Sequence, residues 1–234
     1  MPEGKTCLIV GAGPGNGLAI ARRFNQGGYR VALLARSPDN LRRLQEMLPA
    51  AHCQRCDVTL PDELARAIVS VRADLGQVAV MIYNAGSGMF GSIDDVSAED
   101  FEAAWRVNAL GCFHAVYQVL PDMRSAGGGN IVIIGATASK RGSAAFAAFA
   151  SAKGAQYNLA QSLARHLGPE GIHVSYAVID GVIALERTRA RLPDKPEEFF
   201  LQPDDIAAAV YDVTQQRRSA WTFEFDLRPF AERW

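Results

Sequence analysis

An excess of charge of one sign is missing from this chain, and so are long apolar runs. Lys and Arg number 24 against 25 Asp and Glu, so neither nucleic acid nor an anionic membrane is expected as the main partner. No apolar run reaches the ~18 residues that a membrane helix needs. Residues 1–13 lack a charged segment followed by a long apolar core, so we expect no signal peptide and a cytoplasmic protein.

Cysteine is scarce as well, with four residues in the chain. Cys53 and Cys56 form a single C-x-x-C pair, and no second pair is present to complete a metal site of that type. We interpret both as small apolar side chains on or beside a strand, with reduced thiols. No metal site is expected.

Short apolar runs alternate with amphipathic segments along most of the chain. Strands are predicted at 7–13, 30–36, 51–58, 78–86, 130–136, 172–181 and 220–229, and helices at 17–28, 39–48, 61–76, 97–123, 146–168 and 203–216. Strands that are apolar on both faces and separated by helices indicate a parallel sheet covered on both sides. We therefore predict a single α/β domain over 1–234, a doubly wound parallel sheet with helices on both faces. A polar variable loop at about 184–202 and a C-terminal strand and tail at about 220–234 complete it.

A glycine-rich loop, "VGAGPGNGLA", separates the first strand from the first helix. Glycine permits a tight turn and lets the backbone approach a pyrophosphate, while the helix N-terminus offers free N–H groups and a positive dipole end. Because the loop follows a strand and opens a helix, it predicts a Rossmann-type dinucleotide site. The cofactor-binding residues expected here are Gly11, Gly13, Gly15, Asn16, Gly17 and Leu18.

The end of the second strand indicates which nucleotide is bound. NAD-specific proteins usually carry an acidic residue ~20 residues beyond the glycines, where it bonds the ribose 2′-hydroxyl. This chain has Arg36 and Ser37 there instead. A carboxylate repels a 2′-phosphate and a guanidinium clamps one, so NADP(H) is favoured and NAD(H) is the alternative.

Over about residues 5–225 the chain resembles the short-chain dehydrogenase/reductase family. Gly11, Gly15 and Gly17 match its G-x-x-x-G-x-G motif, and the other matching segments are "CDVT", "NAG", "RVNALG", the lysine of "FASAK", and "DG" followed by Ile183. The resemblance implies further cofactor contacts at Asp57, Val58, Asn84, Ala85, Gly86, Lys153, Gly181 and Ile183. It also implies Asn108 and Lys153 as members of the catalytic group.

The chain departs from the family pattern at the positions of the catalytic tyrosine and serine. The family's catalytic tyrosine lies four residues before the lysine and its serine thirteen residues before the tyrosine; these positions hold Phe149 and Ala136. The enoyl reductase branch places its tyrosine seven residues before the lysine, and that residue is Phe146. Asp180 replaces the proline that precedes Gly181. The normal proton donor is therefore missing.

Several groups are candidates to replace it. Lys153 is one, because burial lowers the pKa of a lysine. Thr137 and Ser139 follow Ala136 and are candidates for the substrate hydrogen bond, although turn formation after a strand is the favoured explanation of both. Tyr83 precedes "NAG" and is either a phenol near the site or a core aromatic.

Two functions remain open at this point. The first is NADP-dependent hydride transfer on a small carbonyl or alcohol substrate with nonstandard proton delivery. The second is an inactive NADP-binding sensor or partner subunit. The resemblance also implies a homodimer or homotetramer formed through the long helices at 98–123 and 146–167.

Overall fold

A computed structural model describes residues 4–231 of the chain. Within this range seven parallel strands form one sheet in the order β3-β2-β1-β4-β5-β6-β9. Its strands are β1 (Thr6–Val10), β2 (Arg30–Ala35), β3 (His52–Arg55), β4 (Val78–Tyr83), β5 (Gly129–Ile134), β6 (Ile172–Ile179) and β9 (Glu224–Leu227). A separate two-stranded ladder pairs β7 (Val182–Ile183) with β8 (Phe200–Leu201).

Helices connect the strands and cover the sheet. They are α1 (Asn16–Gln26), α2 (Pro38–Met47), α3 (Pro61–Leu75), α4 (Ala98–Trp105), α5 (Gly111–Ser125), α6 (Ala147–Leu167), α7 (Glu186–Arg191) and α8 (Pro203–Thr214). One apolar cluster unites α3, α5 and α6 with one sheet face, and a second unites α1, α2 and α8 with the other. The predicted doubly wound α/β fold is confirmed.

The first strand shows why both faces must be covered. Cys7 and Ile9 belong to one core cluster, whereas Leu8 and Val10 belong to the other, and all four are fully buried. Successive side chains of a strand point to opposite faces, so a strand that is apolar throughout needs a layer on each side. The chain adds β2 and β3 on one side of β1 and then β4, β5 and β6 on the other side. A crevice forms at the carboxyl ends of β1 and β4, where this order of addition switches sides.

Two predicted elements differ from what the sequence pattern indicated. The helix predicted at 97–123 is α4 and α5 joined by a π-helical segment, Arg106–Leu110. The region predicted as a loop at 184–202 contains α7 and β8, because β8 pairs with β7 and anchors the segment. The predicted C-terminal strand is present as an edge strand, β9, and the last part of the predicted tail, 232–234, lies outside the described residues.

Candidate active site

The glycine loop lies at the crevice and is packed against the segment that follows β4. Gly11 has a φ of +85°, and a Cβ atom there would lie 2.3 Å from the Ala85 Cα. A Cβ on Gly17 would lie 2.8 Å from the Ala12 Cα. Backbone-to-backbone contact therefore requires glycine at both positions. At Gly13 no atom lies within 4 Å of such a Cβ, so the loop is open there.

The Asn84–Gly86 segment joins the two central strands. Asn84 donates from its backbone N–H to the Val10 carbonyl (2.8 Å) and from Nδ2 to the Gly11 carbonyl (2.7 Å). A Cβ atom on Gly86 would lie 3.4 Å from Asn108 Oδ1 and 3.9 Å from Lys153 Nζ. The structure thus brings the predicted cofactor segment and two of the predicted catalytic residues together.

The residues predicted for the adenosine end lie along the neighbouring strands. Arg36 is exposed at the end of β2 and makes no hydrogen bond or ion pair within residues 4–231. Ser37 caps α2, because its Oγ accepts from the backbone N–H of Asn40 at 3.3 Å. Asp57 Oδ1 accepts from the backbone N–H and the hydroxyl of Thr59, which orders the turn after β3. Val58 is buried behind that turn.

Asn108 sits in the π-helical segment and is fully buried. Its Nδ2 donates to the carbonyls of Ser87 (3.1 Å) and Ala104 (2.9 Å). A side chain that bonds a carbonyl of the preceding turn interrupts the helix ladder, and π-helical turns are often found at functional sites. The interruption turns the Asn108 carbonyl toward α6, where it accepts from Gln156 Nε2 at 2.8 Å.

Lys153 is buried on α6 with its amine held by two acceptors. Nζ donates to the Ile134 carbonyl and to Gln156 Oε1, each at 3.0 Å. Burial lowers the pKa of Lys153 to about 8. Gln156 is fully buried one helical turn later, and the sequence analysis missed it. A glutamine three residues after Lys153, on the same helix face, was the available signal.

Phe149 lies one turn before Lys153 in a cluster of three aromatic rings. Its ring centroid is 5.3 Å from that of Phe90 and 5.9 Å from that of Phe146, and Phe90 lies 5.2 Å from Phe146. The loop carrying Phe90 is tied to this segment, because the backbone N–H of Gly91 donates to the Ala145 carbonyl at 2.7 Å. An apolar aromatic wall thus occupies the position where the resemblance implied a phenol.

The hydroxyl groups near Ala136, where the family pattern has a serine, already donate hydrogen bonds to protein acceptors. Thr137 donates to Asp180 Oδ1 at 2.6 Å, and Ser139 donates to the Ala136 carbonyl at 2.7 Å. Asp180 also pairs with Arg228 at 3.5 Å. A role for Thr137 toward a substrate stays a prediction, and its proton is directed at a carboxylate in this structure.

Tyr83 is a core residue. It is fully buried and donates to the Val107 carbonyl at 2.5 Å, and burial raises the pKa of its phenol. Of the two interpretations left open by the sequence, the structure favours the packed aromatic.

The segment after β6 returns to the glycine loop. Gly181 has a φ of +148°, and a Cβ there would lie 2.8 Å from Pro229 Cδ. Ile183 lies in β7, and two residues later the Leu185 side chain packs against Gly15, where a Cβ would lie 2.2 Å from Leu185 Cδ2. The region beyond Ile183 therefore covers part of the crevice.

Two buried acceptors of the predicted site have no hydrogen-bond partner among residues 4–231. These are Asn16 Oδ1, at the start of α1, and Asn108 Oδ1. Buried polar atoms are normally hydrogen-bonded, so an unpartnered pair at the predicted nucleotide site fits a ligand with donor groups. The open backbone at Gly13 fits the same ligand. In the described range no group of three or more His, Cys, Asp or Glu side chains is arranged to hold a metal ion, and no helix there is long and apolar enough to cross a membrane.

Comparison with known proteins agrees with this geometry. A family model described as short chain dehydrogenase matches residues 5–196. The 7alpha-hydroxysteroid dehydrogenase of Escherichia coli strain K12 is 30% identical over 220 residues, covering 88% of this chain and 86% of that protein. The cyclic-di-GMP-binding biofilm dispersal mediator protein of the same strain is 32% identical over 217 residues, covering 88% of each chain. An alcohol dehydrogenase from the archaeon Thermococcus sibiricus, complexed with 5-hydroxy-NADP, is 27% identical with a TM-score of 0.87, covering 98% of each chain.

Proposed function

The chain belongs to the short-chain dehydrogenase family, an oxidoreductase family with NAD(P)-binding structural relatives, and we propose that it transfers hydride between NADP(H) and a small carbonyl or alcohol. The observation that carries the proposal is the convergence of Gly86, Asn108 and Lys153 beside the glycine loop. When bound, the cofactor supplies or accepts the hydride. The protein must bind both partners, exclude water and handle one proton at the substrate oxygen.

The choice of NADP(H) rests on the end of β2. Arg36 is exposed and unpaired within the described residues, and Ser37 starts α2 beside it. A guanidinium in this position suits a 2′-phosphate. Asp57 Oδ2 makes no hydrogen bond within residues 4–231, which leaves that oxygen for the adenine. NAD(H) is the alternative cofactor.

The proton is the unusual step. As a carbonyl carbon takes hydride, its oxygen needs a proton, and Phe149 has none to give. Thr137 and Ser139 donate to protein acceptors. Lys153 is the remaining titratable group at the convergence point, and its pKa of about 8 lets it carry or release a proton near neutral pH. We assign it the role of proton carrier, at Nζ, in place of the absent phenol.

A second candidate function is nucleotide binding without turnover. The wall formed by Phe90, Phe146 and Phe149 and the committed hydroxyls of Thr137 and Ser139 support it, because they remove the usual acid. One relative is itself named for binding a ligand. In that case the cofactor site is a sensor or serves a partner subunit.

One experiment separates the two. The protein is incubated with NADPH deuterated at the transferable position and a mixed panel of small carbonyl compounds, and alcohols are analysed by mass spectrometry. A deuterated alcohol that the wild-type protein forms and the Lys153→Met variant does not form would support hydride transfer with Lys153 as proton carrier. Calorimetric binding of NADPH without any labelled product across the panel would favour the binding function.

Self-association is proposed through the outer face of α4 and α5. Four large apolar side chains are exposed there: Phe101, Trp105, Phe113 and Tyr117. Exposed apolar patches of this kind mark interaction sites, so a homodimer or homotetramer is proposed. Light scattering should show a smaller species for Trp105→Glu, whereas Val69→Glu, which changes an exposed apolar residue on α3, should leave the mass unchanged.

A further inference from the structure

Gln156 connects the two predicted catalytic residues through its side-chain amide. Nε2 donates to the Asn108 carbonyl at 2.8 Å, and Oε1 accepts from Lys153 Nζ at 3.0 Å and from the Tyr176 hydroxyl at 3.4 Å. The orientation of the amide follows from its partners: a carbonyl only accepts and a lysine amine at this site donates. A fully buried glutamine whose amide nitrogen and oxygen are both hydrogen-bonded is held in one geometry.

We propose that Gln156 is a positioning residue that fixes the Lys153 amine so that only one of its N–H bonds faces the ligand. An ammonium group has three donors. The Ile134 carbonyl and Gln156 Oε1 engage two of them. The third is left for the side on which Gly86 has no side chain, where a Cβ would lie 3.9 Å from Nζ.

In this arrangement Lys153 gains or loses its proton on the side that faces the ligand. The catalytic use of that proton rests on the proposed function. A neutral amine keeps two N–H bonds, and these suffice for the same two protein acceptors. The proton that leaves or arrives is therefore the third one, on the ligand side. Lys153 then gives a proton during carbonyl reduction, or takes one during alcohol oxidation, without moving its side chain.

Few other groups influence the charge of this amine. Cys112 faces it from α5, and burial raises the pKa of that thiol to about 12, which keeps it neutral. Tyr176 faces it from β6, and burial raises the pKa of its phenol as well. Ile134 on β5, Asn108 on the π-helical segment and the 84–87 loop contribute no titratable side chain. Gln156 Oε1 is thus the side-chain acceptor that favours the charged form of Lys153.

The test measures the titration of Lys153 directly, by NMR of protein with ¹³C-labelled lysine and no cofactor. Lys153→Arg identifies the signal. Gln156→Met keeps the side-chain length and removes the acceptor, so the pKa of Lys153 should fall by about one unit, a tenfold loss in proton affinity. Gln156→Glu places a carboxylate at the same atoms and should raise it by ~1–3 units.

The matched control is Gln161→Glu, which makes the same charge change on α6 at a residue that contacts Arg165 and not Lys153. It should leave the Lys153 titration within error. A folded Gln156→Met protein whose Lys153 titrates as in the wild type would overturn the proposal, and it is interpretable even if Gln156→Glu fails to fold. A shifted titration with no labelled alcohol from any variant would support the positioning role and would favour nucleotide binding without turnover over the proposed hydride transfer.

Discussion

Restoring the missing hydroxyls is the most direct perturbation of this site. The double variant Phe149→Tyr with Ala136→Ser returns a phenol four residues before Lys153 and a serine after β5. Residues four apart on a helix have Cβ atoms about 5–6 Å apart. Within the described part of the chain two acceptors engage the Lys153 amine. The third N–H is therefore available to bond the new phenol oxygen and to lower the pKa of that phenol.

The size of the expected gain follows from what a placed acid contributes. Positioned proton transfer accelerates a reaction by ~10²–10⁴-fold. Phe149 already packs against Phe90 and Phe146, so the ring is held in place and only the oxygen is new. We expect the lower end, ~10²-fold in kcat/KM for carbonyl reduction, because Thr137 still donates to Asp180 and the pocket is otherwise unchanged. That gain corresponds to about 3 kcal/mol of transition-state stabilisation.

The assay is the initial rate of NADPH oxidation with the panel carbonyl that gives most labelled product, or with the whole panel if none does. NADPH affinity, measured by calorimetry, should stay within a few-fold of the wild type. Phe90→Tyr is the matched control, since it adds the same atom to the same ring cluster at a position outside α6 that matches neither tyrosine position of the family. A double variant that binds NADPH normally and shows no gain would refute a latent reductase geometry around Lys153.

Three further predictions concern the cofactor site and the proton. The rate of carbonyl reduction should fall as the pH rises through about 8, because Lys153 must be protonated to give a proton, and the rate of alcohol oxidation should rise over the same interval. A preformed iminium cation takes hydride without a proton, so its reduction should lack this dependence. The measurement is the pH–rate profile of each substrate. Arg36→Asp should weaken NADPH binding ~10- to 100-fold and spare NADH, as loss of a charged hydrogen bond predicts, and a parallel loss for both nucleotides by calorimetry would contradict the 2′-phosphate role. Gly11→Val should lower the free energy of unfolding by ~1–3 kcal/mol through left-handed strain alone, with a further loss from overlap with Ala85. Gly13→Ala, whose new Cβ enters open space, should lower it less. Equal melting temperatures for the two variants would show that the close approach of Gly11 to Ala85 is not required.

The glycine-loop half of the candidate site was predictable because it is local in sequence. Gly11 to Leu18 form one continuous turn and helix start, and their requirement for small residues is a backbone property that the residue types reveal. The order of apolar runs likewise predicted a two-sided parallel sheet, since strands such as β1 carry no polar face. The absence of a hydroxyl at Phe149 and Ala136 is also a matter of sequence alone.

The half of the candidate site around Lys153 depended on contacts between residues far apart in the chain. The π-helical segment at Arg106–Leu110 arises where the Asn108 side chain bonds the Ala104 carbonyl. The spacing of apolar residues in the sequence did not predict this segment. Gln156 reads as an ordinary helix residue until α6 packs beside that segment and brings its amide between Asn108 and Lys153. The sequence suggests that the Thr137 hydroxyl is available to a substrate, yet in the fold this hydroxyl donates a hydrogen bond to Asp180.

The sequence by itself therefore determined the fold class, the placement of the glycine loop and the loss of the phenol, because each depends on residue type and local spacing. The tertiary structure alone decided which hydroxyls are committed, which acceptors hold the Lys153 amine and how far its pKa falls. Those properties depend on burial and on donor–acceptor distances between α6, β5 and the π-helical segment, and such distances exist only once the elements have packed.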